Sequence, residues 1–340
     1  MSGRNQHHFW QVLQRGFGYE RKQGYTTVFA YLKDRPPFPT TTRNIGAERD
    51  FFDLAPGSGA DDQITKTEDK LQSLVKYLQN GGALTADHTI SLSLLIAHLE
   101  TRTKFLRQHF GETVSDLLGA LNHRFKNPKQ FQKLMKSYAA KNPDEIDAFL
   151  AQHVQDSVAR AALTEFIIDN FDKLGADIVQ SASNDAAVLM QIVAENTPEF
   201  AKQSHIKALL NTDEDGTRQN RYANLTYRIK SGFDGNLICP DTMVAFLTGA
   251  TSKPFLDMGD KLEAVWVPLT SNLMLIGEPR TSSDRSPKSV LRLLAGTSHT
   301  TFIANADTPE LRRLASRIGK NAEILSRADI KAIKRDTFKI

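Results

Sequence analysis

The chain has almost no cysteine and no long apolar run. Among its 340 residues only Cys239 carries a thiol, so no internal disulfide can form. This excludes a disulfide scaffold and favours a reducing cytoplasm. No stretch of about 18 apolar residues occurs, so no membrane span is expected. The polar N-terminus also lacks the apolar core of a signal peptide. These absences predict a cytoplasmic protein without a membrane partner.

The common catalytic signatures are absent as well. The sequence has no Walker A loop, no G-x-G-x-x-G, no H-E-x-x-H and no C-x-x-C. It therefore gives no support to a P-loop NTPase, a dinucleotide enzyme, a zincin or a zinc ribbon. Any catalytic site must be built from residues that lie far apart in the sequence.

The composition is that of an ordinary globular protein, with 40% hydrophobic and 24% charged residues. It excludes wholesale disorder and coiled-coil rods, and the length allows more than one packed unit. The formal net charge of +4 is small, but basic residues crowd the C-terminal stretch. A solvated helical face and a surface that contacts nucleic-acid phosphates both fit this pattern. The cations predicted to contact phosphates are Arg312, Arg313, Arg317 and Lys320.

The first two segments differ in their periodicity. Residues 1–62 are predicted to be β structure, since residues 26–32 are rich in β-branched and aromatic side chains. The prolines among residues 36–39 exclude ladder pairing there, so a second extended piece is expected at residues 40–45. Residues 63–210 are predicted to be helical, because their apolar residues recur at the helical period.

The third segment, residues 211–340, mixes strands with helices. Residues 262–269 and 273–277 predict a hairpin, and Asp307 with Glu310 three positions later predicts a capped helix. Shorter patterns predict strands at residues 300–304 and 322–325, a closing helix from Ser326 and an acidic turn at residues 213–216. The three segments predict an α+β fold in which N- and C-terminal segments form a small mixed sheet around a large central helical region.

Two fragments resemble a metal-dependent nuclease core of the P-D…(D/E)-x-K kind, in which acids hold Mg²⁺ and a lysine helps to activate water. Glu68-Asp69-Lys70 supplies the second half, within a predicted helix. Pro240-Asp241 supplies the first half, and Glu263 follows on a strand with Val265 in place of the lysine. Glu68 and Asp241 are accordingly the predicted ligands of Mg²⁺ or Mn²⁺.

The adjacent histidines His7 and His8 are the most unusual local feature. In a strand they point to opposite faces, so both rarely ligate one metal unless the backbone turns, and a histidine can also serve as a general base near neutral pH. The alternative is a pair of hydrogen-bonded structural histidines. On a later helix, His98 and Arg102 form either a buried polar pair or an anion clamp, and Glu100 with Lys104 is predicted to be a surface pair.

Several pieces of the chain resemble one family. They are residues 5–9 followed by Leu13 and Phe17, the strand at residues 28–32, residues 45–52, Glu68, residues 239–241 and residues 267–269. In this pattern the chain is similar to the bacterial and phage-associated domain of unknown function 4238 family. It departs from the family at Trp10-Gln11, where a proline is usual, and at Cys239-Pro240-Asp241, where Ser-Asp-x-Pro is usual. The resemblance implies a shared architecture and a set of site residues without a reaction: His7, His8, Glu48, Asp50, Glu68 and Asp241.

Two hypotheses follow for the function. The first is a metal-dependent nuclease-like hydrolase, in a setting such as bacterial antiviral defence, with His7, His8, Glu48, Glu68 and Asp241 as catalytic residues. The second is a non-enzymatic binding or regulatory protein, in which the same histidines and glutamates form a structural polar network. A nucleotide-modifying transferase is a third class, which no phosphate-binding glycine loop favours.

Overall fold

The computed structural model has 53% helix and 16% strand, which confirms the predicted α+β class. The chain divides into two compact units. We call Met1–Phe110 with Ala201–Ile324 the sheet unit, and Gly111–Phe200 with Leu325–Ile340 the helical unit. Two of the three boundaries, after Phe110 and after Phe200, fall inside the predicted helical segment of residues 63–210. The residues that the structure describes are 5–22, 24–53, 59–173, 176–212, 217–257, 259–279, 285–323 and 332.

The sheet unit contains three antiparallel sheets. One pairs β1 with β5, a second has the strand order β6-β11-β10-β8-β9, and a third has the order β2-β3-β12-β7 with β4 also paired to β3. The third sheet joins N-terminal to C-terminal strands, as predicted, but its described strand pairs are antiparallel, so the prediction of a mixed sheet is wrong. The strands are β1 Asn5–His7, β2 Tyr19–Lys22, β3 Tyr25–Leu32, β4 Phe38–Thr41, β5 Ala47–Arg49, β6 Thr226–Lys230, β7 Cys239–Pro240, β8 Ala245–Thr248, β9 Thr251–Lys253, β10 Ala264–Pro268, β11 Met274–Glu278 and β12 Thr301–Ala304.

Helices surround these sheets. Thr85 caps the short 3₁₀ helix Ala86–His88, because its side chain and that of His88 form a reciprocal capping box. The α-helices of the sheet unit are α1 Gln11–Arg15, α2 Ala60–Gln79, α3 Thr89–Thr101, α9 Thr217–Ala223, α10 Pro287–Thr297 and α11 Pro309–Ala315. The helix α4, Lys104–Phe125, begins in this unit, and α8, Ala176–Leu210, ends in it.

The core of the sheet unit is continuous across the N- and C-terminal segments. Tyr31 of β3 lies directly opposite Phe302 of β12, and their stacked rings are 4.8 Å apart between centroids. Both residues are completely buried. Such an aromatic pair contributes about 0.5–1.5 kcal/mol beyond the burial of its area. The packing fixes the register between strands that are about 270 positions apart in the chain.

The helical unit has a much thinner core. Its other helices are α5 Pro128–Lys141, α6 Pro143–Leu150 and α7 Ser157–Asp169, followed by the 3₁₀ helix Phe171–Lys173. The start of α6 at Pro143 agrees with the sequence prediction. Asn127 and Asp156 cap α5 and α7 through their side chains, which is the usual role of these residue types. Large apolar side chains such as Phe149 and Phe166 are more than 60% exposed.

Two local predictions are wrong. Pro39 lies inside β4, opposite Phe29 of β3, where the sequence predicts no ladder pairing. A proline fits because β4 is an edge strand among the described residues, so one row of its N–H groups has no partner strand. The cap of α11 is Thr308, which accepts a hydrogen bond from Leu311 N at 3.2 Å, rather than Asp307. The carboxylate of Asp307 instead pairs with an arginine on α11.

Other predicted elements are only partly covered. Ala322 and Glu323 are not in a strand, and the remainder of the strand predicted at residues 322–325 lies outside the described residues. Of the closing helix predicted from Ser326 only residue 332 is described. The acidic turn predicted at residues 213–216 lies entirely outside the described residues.

Candidate functional site

One face of α2 is polar and borders an open cleft of about 270 Å³. The helix buries Ile64, Leu71, Val75 and Leu78 on its other side. The polar side chains recur at intervals of four and three residues, the spacing that places them on one helical face. The α2 residues that line the cleft are Asp61, Thr65, Glu68 and Gln72.

The N-terminal segment forms the opposite wall of this cleft. Pairing of β1 with β5 and the turn into α1 place His7, Gln11 and Arg15 along it. Gln6 anchors the segment, because its buried side chain donates to Asp53 Oδ1 at 3.0 Å and accepts from a main-chain N–H. A buried amide with both ends bonded holds its strand in one position.

Arg102 closes the cleft at the end of α3. Its guanidinium pairs with Glu68 and also donates to the main-chain carbonyl of His7. Only 4% of its side chain is exposed, and this burial lowers the pKa of Arg102 to about 9. His98 Nε2 lies 3.5 Å from Glu68 Oε1. The glutamate therefore meets a buried cation on one side and the cleft on the other.

His7 is held by two main-chain groups, those of Thr42 and Arg43. Its Nε2 lies 3.2 Å from the carbonyl oxygen of Thr42, which can only accept, so Nε2 carries the proton and Nδ1 carries the lone pair. Burial lowers the pKa of His7, and the nearby Arg102 adds to the effect. The imidazole is thus neutral at pH 7. A neutral imidazole with a free lone pair at a cleft wall has the properties of a general base.

His8 has a different environment from His7. Its side chain is 11% exposed, its ring packs against Phe51 with centroids 5.1 Å apart, and its Nε2 is 3.9 Å from Glu48 Oε1. Burial, followed by the charge of Lys104, lowers the pKa of His8 to about 3. Glu48 is instead paired with Lys104. His8 is therefore a neutral packing residue beside an ion pair. Asp50, which the family resemblance adds, is exposed and pairs with its neighbour Arg49 at 3.4 Å.

The Asp241 carboxylate accepts hydrogen bonds from the backbone around the start of β12. One carboxylate oxygen accepts from His299 N at 2.7 Å, and the other accepts from Thr300 N, Thr300 Oγ1 and Thr301 N at 2.8, 2.7 and 3.1 Å. These bonds satisfy the N–H groups that follow α10. The structure gives Asp241 no hydrogen bond or ion pair to any other predicted site residue that it describes.

The predicted phosphate-contacting cations lie on α11 and the turn that follows it. Arg312 pairs with Asp307, with Nε 2.8 Å from Oδ1, and this pair raises the pKa of Arg312. Arg317 Nε donates to a main-chain carbonyl at 3.3 Å. Arg313 and Lys320 are exposed. All four thus lie at the surface of the sheet unit.

The residues present do not fit the predicted metal ion. Within the described residues no group of three or more His, Cys, Asp or Glu side chains is placed to hold one. The two predicted ligands are already engaged, Glu68 by Arg102 and Asp241 by N–H and hydroxyl donors. A hard divalent cation needs several free oxygen ligands. No step of the proposed chemistry is therefore routed through a metal.

Sequence reasoning missed several members of the site. Arg15, Asp61 and Gln72 line the cleft but were not among the predicted residues. A signal for the last two is present, because Asp61, Thr65, Glu68 and Gln72 form a polar stripe at helical spacing. The prediction of a surface pair between Glu100 and Lys104 is wrong, since Glu100 is completely buried and Lys104 pairs with Glu48.

Comparisons with known proteins give no further guidance to this site. No family model matches the sequence, and neither the curated proteins nor the solved structures contain a significant match. The resemblance to the domain of unknown function 4238 family stays a prediction. Across the part of the chain that the structure describes, no helix combines the length and the apolar character that crossing a bilayer requires.

Proposed function

We propose that the protein is a hydrolase that cleaves phosphodiester bonds of nucleic acid in the cleft between α2 and the N-terminal segment. The observation that carries the proposal is the His7 imidazole, neutral at pH 7 and held through Nε2, in the same cleft as two arginines and two acids. A base and cations around one open cavity form a recurrent arrangement in hydrolases.

Each group has a defined part in the proposed reaction. His7 Nδ1 takes a proton from the attacking water or from a ribose hydroxyl, and the imidazolium then returns a proton to the leaving oxygen. Arg15, which is exposed at the cleft wall, binds the phosphate oxygens and stabilises the negative charge of the transition state, and the buried Arg102 adds its positive charge from behind Glu68. Glu68 positions Arg102 through their ion pair. Arg313 and Lys320, which are exposed, contribute contacts to the nucleic-acid backbone.

The test is cleavage of DNA and RNA, single- and double-stranded, by the full chain and its variants. We expect His7→Gln to lower the rate by at least about 100-fold, the usual effect of removing a general base. The matched control is His153→Gln, because His153 is an exposed histidine of the helical unit and its replacement should leave the rate unchanged. Since the pKa of His7 is lowered, activity should rise from acidic pH with a midpoint below pH 6.5.

Three results would contradict the proposal. They are no cleavage of any substrate, equal rates for the His7→Gln and wild-type chains, and equal losses in the His7→Gln and His153→Gln chains. Each assay is run with Mg²⁺, with Mn²⁺ and with EDTA. Loss of activity in EDTA would contradict a mechanism without a metal ion.

A second candidate function is a non-enzymatic binding protein whose histidines and glutamates hold the fold together. It is favoured by the two ion pairs Glu48–Lys104 and Glu68–Arg102, which tie the N-terminal segment and α2 to the α3–α4 region. Under this alternative Glu68→Gln lowers the free energy of unfolding and no nucleic acid is cleaved. Under the proposed hydrolase Glu68→Gln lowers the cleavage rate more than its stability change explains.

A further inference from the structure

The helical unit contains an acidic cavity that the proposed function does not use. It has a volume of about 380 Å³ and lies between α6 and α7. This volume is within the range of small-molecule sites. Eight residues line the cavity, namely Pro143, Asp144, Asp147, Ala161, Thr164, Glu165, Ile168 and Asp169.

Three of the four carboxylates in this cavity have no cationic partner. Asp147 pairs with Arg160, with Oδ1 3.2 Å from Nε. Asp144, Glu165 and Asp169 form no ion pair or hydrogen bond through their side chains within the described residues. Residues 111–200 contain 13 acidic and 8 basic residues, a net charge of −5, whereas the whole chain has +4. The cavity is therefore an electronegative site in an acidic region.

The fold itself gives little reason for the acids on α7. Glu165 and Asp169 are four positions apart, so they lie on the same face of the helix, where like charges destabilise it. Asp144 is different, because an acid in the first turn of α6 interacts favourably with the free N–H groups there. A ligand cation would relieve the repulsion on α7.

A second observation, independent of the acids, also points to a ligand. Thr164 lines the cavity and is 7% exposed, yet its Oγ1 hydroxyl has no hydrogen-bond partner. In a helix such a hydroxyl commonly bonds to the carbonyl one turn earlier. A buried hydroxyl without a partner is unusual in a folded protein. Oγ1 is itself closed to solvent, so it is an unused acceptor in the cavity wall that a donor reaches only by displacing its neighbours.

The shape of the site selects among cations. The acids are not placed to converge on one metal ion in the described part of the chain. Pro143, Ala161 and Ile168 provide apolar wall between them. Separated carboxylates with an apolar wall between them match a molecule whose ammonium groups are separated by methylene chains. We propose that this cavity binds an aliphatic polyamine.

The experiment is calorimetric titration of spermidine into the full chain. We expect saturable binding of one spermidine per chain, about tenfold weaker in the Glu165→Gln/Asp169→Asn variant, which loses two ion pairs. Asp116→Asn/Asp185→Asn is the matched control, because it removes the same charge from exposed positions on α4 and α8. Its affinity should equal that of the wild-type chain. Ala161→Lys should abolish binding by placing an ammonium group of the chain in the cavity.

The outcomes separate the proposal from its alternatives. Circular dichroism first checks that each variant keeps its helix content. Absence of saturable binding to the wild-type chain, or an equal loss in the control variant, overturns the proposal. It is also overturned if a lysine-rich peptide binds at the acids while spermidine does not, since the cavity would then be a protein-docking surface. Equal binding of Mg²⁺ at the same acids would overturn it in favour of a metal site.

Discussion

Two glutamate–arginine pairs of the sheet unit are built in opposite ways. In the Glu100–Arg218 pair the carboxylate is completely buried, and 32% of the arginine side chain is exposed. In the Glu68–Arg102 pair the arginine is buried, and 15% of the glutamate side chain is exposed. The member that reaches solvent is therefore the cation in one pair and the anion in the other.

This difference decides which pair is available to a ligand. Glu100 accepts hydrogen bonds from Tyr222 Oη at 2.8 Å and Leu256 N at 2.9 Å, and Arg218 lies 2.8 Å away. Burial raises the pKa of Glu100, and these partners act in the opposite direction by favouring its charged form. Glu68 instead borders the cleft with its cation behind it. A sealed pair serves the architecture, whereas an open one can take part in chemistry.

The largest expected effect is the loss of the sealed carboxylate. Glu100→Ala leaves the Tyr222 hydroxyl and the Leu256 N–H buried without an acceptor, so we expect the free energy of unfolding to fall by about 3–5 kcal/mol. Glu100→Gln is the control, because a neutral amide of the same shape can accept from Leu256 N and donate to the Tyr222 oxygen. Glu100→Gln should therefore lower the free energy of unfolding clearly less than Glu100→Ala. Urea denaturation measures both, and equal losses would mean that the charge matters more than the hydrogen bonds.

A third carboxylate, Asp241, tests whether an acid without any cationic partner is equally structural. Asp241→Ala removes the acceptor of three main-chain N–H groups, so we expect a loss of about 2–3 kcal/mol, smaller than that of Glu100→Ala. Asp185→Ala, at an exposed position on α8, should change stability little. Thermal denaturation of both variants checks this. An unchanged Tm for Asp241→Ala would return Asp241 to the set of candidate metal ligands.

The sequence predicts the strands and helices of the sheet unit well, because their apolar period is a local property. Residues 26–32 and the hairpin after residue 262 are found close to their predicted bounds. His7 and Glu68, two of the predicted site residues, line one cleft. Their shared location depends on packing between distant segments, for which the sequence gives only the polar stripe on α2.

The failures have physical causes that no local pattern contains. Glu100 and Lys104 have the spacing of a surface pair, but α3 ends at Thr101 and Lys104 starts the next helix. Nearly every residue of α3 from Leu92 onward is buried. The usual rule that one face of a helix is exposed to solvent therefore does not hold there. The partners of Asp241 are about sixty positions away and belong to the main chain. Main-chain donors leave no signal in the side-chain sequence.

The Glu68–Arg102 pair, whose glutamate reaches solvent, gives the next prediction. Arg102→Met keeps most of the apolar stem of the side chain and removes the buried charge, whose guanidinium carbon lies 5.1 Å from the centroid of the Phe52 ring. Glu68 is left beside the cleft, where water can solvate it, so the expected loss is about 1–2 kcal/mol, smaller than for Glu100→Ala. Urea denaturation of the two variants side by side measures the difference. If Arg102→Met is the more destabilising change, the distinction between sealed and open pairs is wrong.

The smallest expected effect concerns the pH dependence of stability and His8, the buried histidine beside the Glu48–Lys104 pair. The pKa of His8 is about 3 in the folded chain and about 6.5 in the unfolded chain. Below pH 6.5 the unfolded state therefore binds a proton that the folded state does not, and stability is lost as the pH falls. Between pH 6.5 and 5.5 this contribution is about 1 kcal/mol.

His8→Phe, which keeps a ring against Phe51, should show a decrease in the free energy of unfolding that is smaller by this amount. His153→Phe, at an exposed histidine, should keep the wild-type dependence. Parallel pH dependences for the wild-type and His8→Phe chains would mean that His8 takes up a proton in the folded state. The protonated His8 would then place a charge next to Glu48, and this cluster would be as reactive as the cleft.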